Sequence, residues 1–423
     1  MHIHSRKEKD KAIQSIVAAP ILYVPLLQHI GKPAKAIVSV GDFVKKFQLV
    51  GQASEGVSAN IHSPVSGIVE EIRKYPLADG NLVDTIIIRN DYKETEEKFP
   101  KTDLSIITPE QVIEIIAKAG IVGVGGAQFP TALKYQLDGF SIETFIVNGT
   151  ECEPYLSSDY VLMKEYTAEL FKGIELINKV LKAKEIVLTI EEQNKELADV
   201  LNPFIEKATN IRLQILPNEY PQGGELQLIN RIKGQKLPRN KRPRDFGVIV
   251  NNVGTIYAVY QAVVGRVPLV NRIFTVSGKD SPITANYEIK IGTSISHIIK
   301  ELNLSVSDNQ LILGGAMMGK AVIQLNAPVI KGSSGLLLFK RKEFTRFNCI
   351  SCGYCVEVCP MRLLPMKFEE IYRSGKYFRM EKYHLENCIE CAACEYICPS
   401  NVPLIESIKE SKIKIKELAH AIQ

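Results

Sequence analysis

The sequence predicts a multidomain α/β protein, and three observations lead to that prediction. The 423 residues can form about three domains that each bury a core of their own. Helical stretches alternate with β-branched runs through the middle of the chain, a pattern typical of a mainly parallel sheet. Eight of the nine cysteines are concentrated in residues 349–398, which indicates a separate unit there. A net charge of +5 is too small to indicate nucleic-acid binding.

The first 95 residues predict a small all-β domain. Short β-branched runs, separated by Gly-Asp, Ser-Pro and Ser-Gly turns, occur in AIVSVGDFVKKFQLVGQ and ANIHSPVSGIVEEI. Both halves resemble the hammerhead of biotinyl and lipoyl carrier domains, which predicts a barrel-sandwich hybrid over residues 1–95. A carrier needs a lysine at the hairpin tip, but Gly56 stands there and no lysine occurs between Lys46 and Lys74. We therefore expect a docking or structural domain, not a swinging arm.

Residues 104–266 predict a Rossmann-like α/β domain. Its first helix has clear signals: Thr108 at the N-cap, Pro109 in the first turn and Gly120 as the stop. The β-branched runs that follow include TFIVNG, EIVLTI and GVIVNNVG. They alternate with helical stretches, as a mainly parallel sheet requires.

Two further units follow along the chain. Residues 267–335 predict a compact β-grasp domain, because IFTVSG, YEIKIG and LILGGAMMG surround one short helix, ISHIIKELN. Residues 340–423 predict a ferredoxin-type helical domain that contains the cysteines. Its tail, VPLIESIKESKIKIKELAHAI, is expected to be an amphipathic helix packed beside the cysteine segment.

Two copies of one cysteine pattern carry the strongest chemical signal. They are CISCGYCVEVCP, from Cys349, and CIECAACEYICP, from Cys388. Each reads C-x₂-C-x₂-C-x₃-C-P, the pattern that holds cubane [4Fe–4S] clusters in two-cluster ferredoxins, in which the fourth cysteine reaches the other cube. The predicted ligands are Cys349, Cys352, Cys355 and Cys398 for one cluster (the first cysteine set), and Cys359, Cys388, Cys391 and Cys394 for the other (the second cysteine set).

Two zinc sites and a disulfide framework are the alternatives to clusters. Zinc favours four tetrahedral ligands from paired C-x₂-C arms or Cys/His mixtures, not four-cysteine runs that each end in proline. Disulfide frameworks suit small secreted chains, whereas this chain is large and its cysteines lie mainly in one segment. Clusters are therefore the favoured prediction. They indicate one-electron chemistry and a reducing compartment.

A second signal is the glycine-rich segment GIVGVGGAQFPTALK, residues 120–134. Gly123, Gly125 and Gly126 allow close backbone approach to a ligand, and their N–H groups can cradle a phosphate beside the Lys134 cation. Alone this is weak evidence, since such segments are often only turns. Three more segments follow strands or enter a helix: NGTECEPY, YPQGGELQLI and VNNVGT. Ligands of open α/β sheets bind at the carboxyl ends of strands, so together these segments predict a nucleotide site.

Taken together, these motifs resemble the RnfC family, the soluble subunit of the Rnf membrane complex. The resemblance covers nearly the whole chain and is carried by GVGGAQFPT, NGTECEPY, YPQGGELQLI, VNNVGT, GGAMMG, VPLLQHIG, VSVGDFVKKFQLV, HSPVSG and the paired cysteine runs. The central part also resembles the flavin subunit of respiratory complex I, with GGAGFPT and VNNV in the same order. Gln128 stands where that pattern has glycine, so it bears directly on flavin binding.

The resemblance implies an FMN held non-covalently in the α/β domain, with NADH stacked against it. It assigns no catalytic acid or base, because hydride transfer needs none, and it matches the 267–335 unit to the soluble-ligand-binding β-grasp (SLBB) type. Flavin is the chemistry that converts a hydride into single electrons. The residues assigned to FMN are Gly123, Gly125, Gly126, Ala127, Phe129, Lys134, Asn148, Glu151, Asn251, Asn252 and Thr255, and those on the NADH side are Tyr220, Gly223, Gly224 and Glu225.

The implied activity is that of an NADH-facing electron-transfer subunit of an Rnf-type complex. Electrons would pass between NAD(H), FMN and two [4Fe–4S] clusters, coupled to ferredoxin redox chemistry and ion translocation by other, membrane-embedded and flavin-carrying subunits. No segment reaches the ~18 apolar residues of a spanning helix, so we expect a peripheral subunit on the cytoplasmic side of the inner membrane. The alternatives are a related soluble reductase (a cobalamin reductase or the electron donor of an amino-acid reductase) and an electron relay without flavin.

Two features stay outside this scheme. The basic stretch Arg231–Arg244 is either a solvated loop or a surface for an anion or acidic partner. Cys152, the ninth cysteine, is expected to be a buried thiol without a cluster.

Overall fold

The computed structural model describes residues 1, 11–100, 103–126, 128–237 and 241–422. Its N-terminal domain is built from short antiparallel strands in two sheets, with orders β2-β8-β7-β4 and β3-β5-β6. The strands are β2 (Ile21–Pro25), β3 (Lys35–Ala36), β4 (Phe43–Val44), β5 (Leu49–Gln52), β6 (Ile61–His62), β7 (Gly67–Pro76) and β8 (Leu82–Asn90). Apolar side chains of both sheets, among them Leu22, Val50 and Ile88, share one core, as in the predicted barrel-sandwich domain. An earlier strand, β1 (Gln14–Ser15), pairs with a strand far along the chain instead.

The central domain contains a sheet of order β11-β10-β9-β12 in which every pairing is parallel, which confirms the predicted α/β class. Asn148 and Asn252 are register partners at the carboxyl ends of β9 and β12. The elements are α1 (Pro109–Lys118), α2 (Thr131–Lys134), β9 (Thr144–Asn148), α3 (Ser158–Glu165), α4 (Thr167–Leu181), β10 (Glu185–Glu191), α5 (Ala198–Ile205), β11 (Ile211–Leu216), α6 (Glu225–Lys233), β12 (Val248–Asn252) and α7 (Val253–Tyr260).

Helix α1 begins where its sequence signals predict. The Thr108 hydroxyl accepts a hydrogen bond from the Gln111 N–H, and the Gln111 side chain accepts one from the Thr108 N–H, which completes a capping box. Gly120 follows the helix with φ of +64°, a conformation that glycine adopts at little cost. The cap therefore fixes the start of the segment that leads into the glycine-rich turn.

The third domain has a sheet of order β1-β14-β13-β17-β15-β16. Its central strands β13 and β17 are parallel, and the neighbours β14 and β15 are antiparallel to them. A helix, α8, packs its Ile295 and Ile298 into the same core as Phe274 and Leu336. The elements are β13 (Asn271–Ser277), β14 (Ala285–Lys290), α8 (Ile295–Glu301), β15 (Asn309–Leu313), β16 (Lys320–Ala321) and β17 (Gly335–Lys340).

The last domain is helical. A one-turn helix stands inside each cysteine run, and the long final helix packs against the helix between the runs, sharing a core that includes Phe368, Ile371 and Ile408. The predicted tail helix is therefore confirmed. Among the described residues, no helix combines the length and apolarity needed to cross a bilayer. The helices are α9 (Tyr354–Glu357), α10 (Pro365–Ser374), α11 (Ala393–Tyr396) and α12 (Leu404–Ile422).

A buried lysine joins three of the domains. Lys331, in the loop before β17, is 1% exposed. Its ammonium nitrogen lies 2.7 Å from the Asn60 carbonyl oxygen in the first domain and 2.7 Å from the Gly120 carbonyl oxygen in the second. Burial lowers the pKa of Lys331 from 10.5 to about 7. The side chain therefore ties the glycine-rich segment to both neighbouring domains.

Candidate functional site

The carboxyl edge of the parallel sheet gathers polar side chains, as the strand-end motifs predict. Asn252 caps α7, because its side-chain oxygen accepts from the Gly254 N–H at 2.8 Å. The Asn252 amide nitrogen donates to the Asp159 carboxylate at 2.6 Å. The glycine-rich turn lies directly against this residue: a Cβ added to Gly125 would stand 2.7 Å from the Asn252 Cβ. Glycine at 125 is therefore required by packing.

Other contacts hold the turn in place. The Val124 N–H donates to the Thr255 hydroxyl at 3.1 Å, and the Gly123 N–H donates to the Phe129 carbonyl at 2.9 Å. By contrast, a Cβ on Gly126 would meet no atom within 4 Å, so this glycine borders open space. Ala127, assigned to FMN by resemblance, lies outside the described residues.

The YPQGG segment is brought to the same edge. The Asn148 amide nitrogen donates to the Gly223 carbonyl at 2.9 Å, while its oxygen accepts from the Thr150 N–H at 3.0 Å. A Cβ on Gly223 would come within 2.6 Å of the Thr150 carbonyl oxygen, so glycine is needed for this approach. Gly224 then forms the N-cap of α6, whose first residue is Glu225.

Two assigned FMN residues are engaged within the protein. The Lys134 ammonium lies 2.5 Å from the Val250 carbonyl oxygen and 2.9 Å from a Glu225 carboxylate oxygen. Glu151 is buried, and one of its carboxylate oxygens accepts from the Ser158 hydroxyl at 3.2 Å and the Asp159 N–H at 3.0 Å. In this structure Glu151 thus stabilises the N-terminus of α3, where a carboxylate is electrostatically favoured.

Two buried polar atoms at this edge have no hydrogen-bond partner among the described residues. They are the Asn251 side-chain oxygen and the Gln222 side-chain nitrogen. The Asn251 nitrogen is satisfied, since it donates to the Tyr135 hydroxyl at 2.8 Å. Buried polar atoms are normally paired, so such atoms indicate a polar ligand. Sequence reasoning assigned Asn251 but missed Gln222, although it lies inside the YPQGGELQLI motif.

A buried arginine was also missed. Arg272, on β13, donates to the Val124 carbonyl at 3.4 Å and to the Ser333 carbonyl at 3.1 Å. Burial lowers the pKa of Arg272 to about 10, with Asp159 acting in the opposite direction, so the guanidinium remains charged at neutral pH. It supplies positive charge behind the glycine-rich turn. No local motif marked it, because NRIFTVSG reads as an ordinary strand.

Gln128 occupies a left-handed conformation, with φ of +52°. A glycine is favoured there, which accounts physically for the glycine of the resembled pattern. The Gln128 side chain lies against Gly332 of the next domain, since a Cβ added to Gly332 would stand 1.8 Å from the Gln128 amide nitrogen. The side chain is therefore packed at a domain boundary.

The eight patterned cysteines line two cavities of about 450 and 340 Å³. The larger is lined by the first cysteine set, Cys349, Cys352, Cys355 and Cys398. The smaller is lined by the second set, Cys359, Cys388, Cys391 and Cys394. Each cavity thus draws three cysteines from one run and the last cysteine from the other. Among the described residues, no three His, Cys, Asp or Glu side chains are grouped so that they could hold a single metal ion. The arrangement suits a multi-atom cluster better than zinc.

The two sets differ in their surroundings. Cys349 and Cys352 are exposed, and the apolar side chains of Phe347 and Ile350 beside them are also exposed. Cys391 and Cys394 are buried. Burial raises the pKa of the Cys391 thiol to about 11. The first set therefore faces outward and the second faces the protein interior.

The nucleotide-type domain contacts only the neighbourhood of the second set in the hydrogen bonds described. The Tyr220 hydroxyl donates to the Cys391 carbonyl at 2.7 Å. The Gln227 amide nitrogen lies 3.4 Å from the Met361 sulfur, two residues after Cys359. Tyr220, assigned to the NADH side, is thus buried against the cysteine loop. Cys152 is only partly buried, and its sulfur accepts from the Gly223 N–H at 3.4 Å.

Much of the basic stretch is paired within the chain, in the part that the structure describes. Arg231 contacts Glu219 at 2.5 Å, and Arg244 contacts Asp138 at 3.0 Å. These contacts favour the solvated loop over an anion surface. Residues 238–240 of the stretch lie outside the described residues.

Three protein families match segments of the chain. They are the RnfC barrel sandwich hybrid domain over residues 1–93, the Nuo51 FMN-binding domain over 116–261 and the 4Fe-4S dicluster domain over 348–402. The matches fall on the all-β domain, the parallel sheet with its polar edge, and the two cysteine cavities.

Relatives named as the C-type component of an ion-translocating oxidoreductase complex are similar over nearly the whole chain. The one from Rhodobacter capsulatus is 37% identical over 98% of this chain and 82% of its own length. The one from Haemophilus influenzae (strain PittEE) is 35% identical over 94% of this chain and 62% of its own length. The chain thus spans less than two thirds of the Haemophilus relative.

Two solved structures share the fold. They are NAD⁺-reducing [NiFe]-hydrogenase in the air-oxidized and in the H₂-reduced state, at 24% and 20% identity. They cover 63% and 72% of this chain and 54% and 60% of their own, with TM-scores of 0.50 and 0.52. At this identity the likeness concerns the fold alone.

Proposed function

The chain belongs to the RnfC family of ion-translocating oxidoreductase components, and from that premise we propose that it transfers electrons between NAD(H), a bound FMN and two [4Fe–4S] clusters. The observation that carries the proposal is the joining of two kinds of site in one chain. A glycine-lined, polar sheet edge is connected through Tyr220 to a cavity lined by four cysteines.

FMN fits the sheet edge on the evidence of its side chains. Gly125 leaves no room for a Cβ, and the unpaired buried atoms of Asn251 and Gln222 suit a polar ligand. Asn148, Asn252 and Thr255 border the same edge, and Arg272 adds a positive charge behind it. When bound, the flavin supplies the conversion of a hydride into single electrons. The protein residues bind and orient the flavin and transfer no proton of their own.

NAD(H) as the substrate is supported by the Nuo51-type domain and by the glycines of the YPQGG segment. Gly223 and Gly224 keep the chain narrow where α6 begins, and a helix N-terminus favours an anionic group such as a pyrophosphate. Glu225 stands at that start, but it is paired with Lys134 in this structure. We therefore assign Gly223, Gly224 and Gln222 to the nicotinamide nucleotide side.

The two cysteine sets are the proposed cluster ligands. The second set receives electrons first, because Tyr220 and Gln227 place the nucleotide-type domain beside it. The exposed first set then forms the outlet to a redox partner. The partner is proposed to be another protein of an Rnf-type complex, with this chain peripheral on the cytoplasmic face of the membrane and linked indirectly to ferredoxin.

The third domain is proposed to be a β-grasp of the soluble-ligand-binding type. Taking β13, β14, β15 and β17 as strands one to four, the sheet order is two-one-four-three, with the parallel pair in the centre. This order, with α8 packed on one face, supports the assignment. Its loop 314–319 reaches the candidate site, where the Met317 and Met318 N–H groups donate to the Glu153 carboxylate at 2.9 and 3.0 Å.

Anaerobic purification followed by cofactor quantification tests the proposal. One FMN and about eight iron atoms per chain are expected, since two [4Fe–4S] clusters contain that many. NADH should then bleach both the flavin and the cluster absorbance. Clusters without flavin, unbleached by NADH, would overturn the proposal in favour of an electron relay. Electron acceptance by a cobalamin or amino-acid reductase, but by no protein of an Rnf-type complex, would identify a soluble reductase.

A further inference from the structure

A tyrosine joins the candidate nucleotide site to the second cysteine set. Tyr220 is 4% exposed, and its hydroxyl lies 2.7 Å from the Cys391 carbonyl oxygen, 171 residues further along the chain. Three residues after it, the Gly223 carbonyl accepts from Asn148 at 2.9 Å. Residues 220–223 therefore contact the sheet edge at one end and the peptide group of a cysteine at the other.

The surroundings keep this hydroxyl a donor. The Tyr220 ring lies in an apolar cluster with Ala393, Met317 and Ile389. Burial raises the pKa of Tyr220 well above its ordinary value, and the nearby Glu153 carboxylate adds to the effect. The phenol therefore stays protonated across the physiological range and directs its O–H at the Cys391 peptide.

We propose that Tyr220 is a positioning residue that holds the second cluster against the nucleotide site and raises its reduction potential. The proposal rests on the proposed function, in that the second cysteine set must hold a [4Fe–4S] cluster. Each electron that enters adds one negative charge at this cavity, while no bond breaks and no proton moves. A donor directed at the ligand peptide favours that extra charge, because hydrogen bonds around a cluster and its burial set its potential.

The asymmetry of the two sets supports this role. In the described residues, the side-chain hydrogen bonds from the nucleotide-type domain to the cysteine domain come from Tyr220 and Gln227, and both reach the second set's surroundings. The first set instead has two exposed cysteines, Cys349 and Cys352. Tyr220 should therefore affect one cluster and leave the other unchanged, so each molecule contains its own control.

The test is an anaerobic redox titration of the full chain, followed by electron paramagnetic resonance. Tyr220→Phe removes the hydroxyl and keeps the ring. Two variants serve as matched controls. Tyr396→Phe removes an exposed hydroxyl between Cys394 and Cys398. Gln227→Met changes the second contact without removing the donor to Cys391. Iron content and circular dichroism establish that each variant is folded and loaded.

In Tyr220→Phe, the equilibrium constant for one of the two one-electron reductions should fall about 2- to 10-fold, the net effect of one neutral hydrogen bond. At about 59 mV per tenfold change, this is a shift of about 20–60 mV to lower potential. The other step and both controls should not move. Unchanged steps, equal shifts of both steps, or an equal shift in Gln227→Met would overturn the role of the hydroxyl. A wild type that shows no cluster reduction refutes the proposed function instead, and flavin loss leaves this comparison intact.

Discussion

Lys331 provides a prediction with a sign and a size. Its amine is buried, and the charges described around it include no carboxylate contact; its two hydrogen bonds go to the Asn60 and Gly120 carbonyls. A neutral amine keeps two N–H donors, which is the number that these two acceptors need. Replacing the side chain in Lys331→Met removes both hydrogen bonds and also removes the cost of burying the charge.

The magnitude follows from the pKa. Because burial lowers the pKa of Lys331 from 10.5 to about 7, the unfolded chain binds more protons than the folded chain between these values. Stability should therefore rise with pH across that window. The full shift corresponds to about 5 kcal/mol at pH values below the folded pKa. Between pH 6.5 and 8.5 the wild type should gain about 2 kcal/mol of unfolding free energy relative to Lys331→Met.

Urea titrations at both pH values, followed by circular dichroism, measure this difference. Because several domains are present, the quantity to compare is the midpoint of the transition that the substitution moves. Lys118→Met is the matched control, since Lys118 is exposed and lies two residues before Gly120. A wild type and Lys331→Met that differ by the same amount at pH 6.5 and 8.5 would refute the reasoning, because the amine would then titrate normally.

Two further predictions concern the cofactors. Gly125→Ala should weaken FMN binding about 5- to 150-fold in a fluorescence titration, because its Cβ would collide with Asn252 at an overpacking cost of about 1–3 kcal/mol. Gly126→Ala, which meets open space, should bind FMN normally, and equal losses in both would contradict the packing argument. Cys398→Ser should impair only the exposed cluster and Cys359→Ser only the interior one, as judged by Mössbauer and iron analysis. Loss of the same cluster in both variants would show that the sets do not cross between runs.

The features that local patterns encode could be predicted from the sequence. Thr108 caps α1 because its partner lies three residues away, and the parallel sheet follows from alternating runs of β-branched and helical residues. The strand-end motifs were expected to meet, and Asn148 and Asn252 do stand beside each other in register. Spacing within each cysteine run likewise indicated which side chains would share a cavity.

Contacts between domains could not be predicted in this way. The Tyr220 bond to Cys391 and the Lys331 bond to Asn60 join residues 171 and 271 positions apart. Such pairs depend on how finished domains dock, and no nearby residue spacing encodes that. The role of Glu151 shows a related limit. Its position after a strand suggested a ligand contact, whereas its carboxylate is engaged by the first turn of α3.

The crossing of the cysteine sets has a consequence for biosynthesis. Each cavity combines cysteines from both runs, so neither is complete in a chain that has been synthesised only as far as residue 387. The cavity around Cys359 requires Cys394, and the cavity around Cys349 requires Cys398. The N-terminal domain, the parallel sheet and the third domain are by then already made. Delivery of iron and sulfide to this protein should therefore follow translation of the earlier domains, onto a scaffold whose docking surface for the cysteine loops already exists.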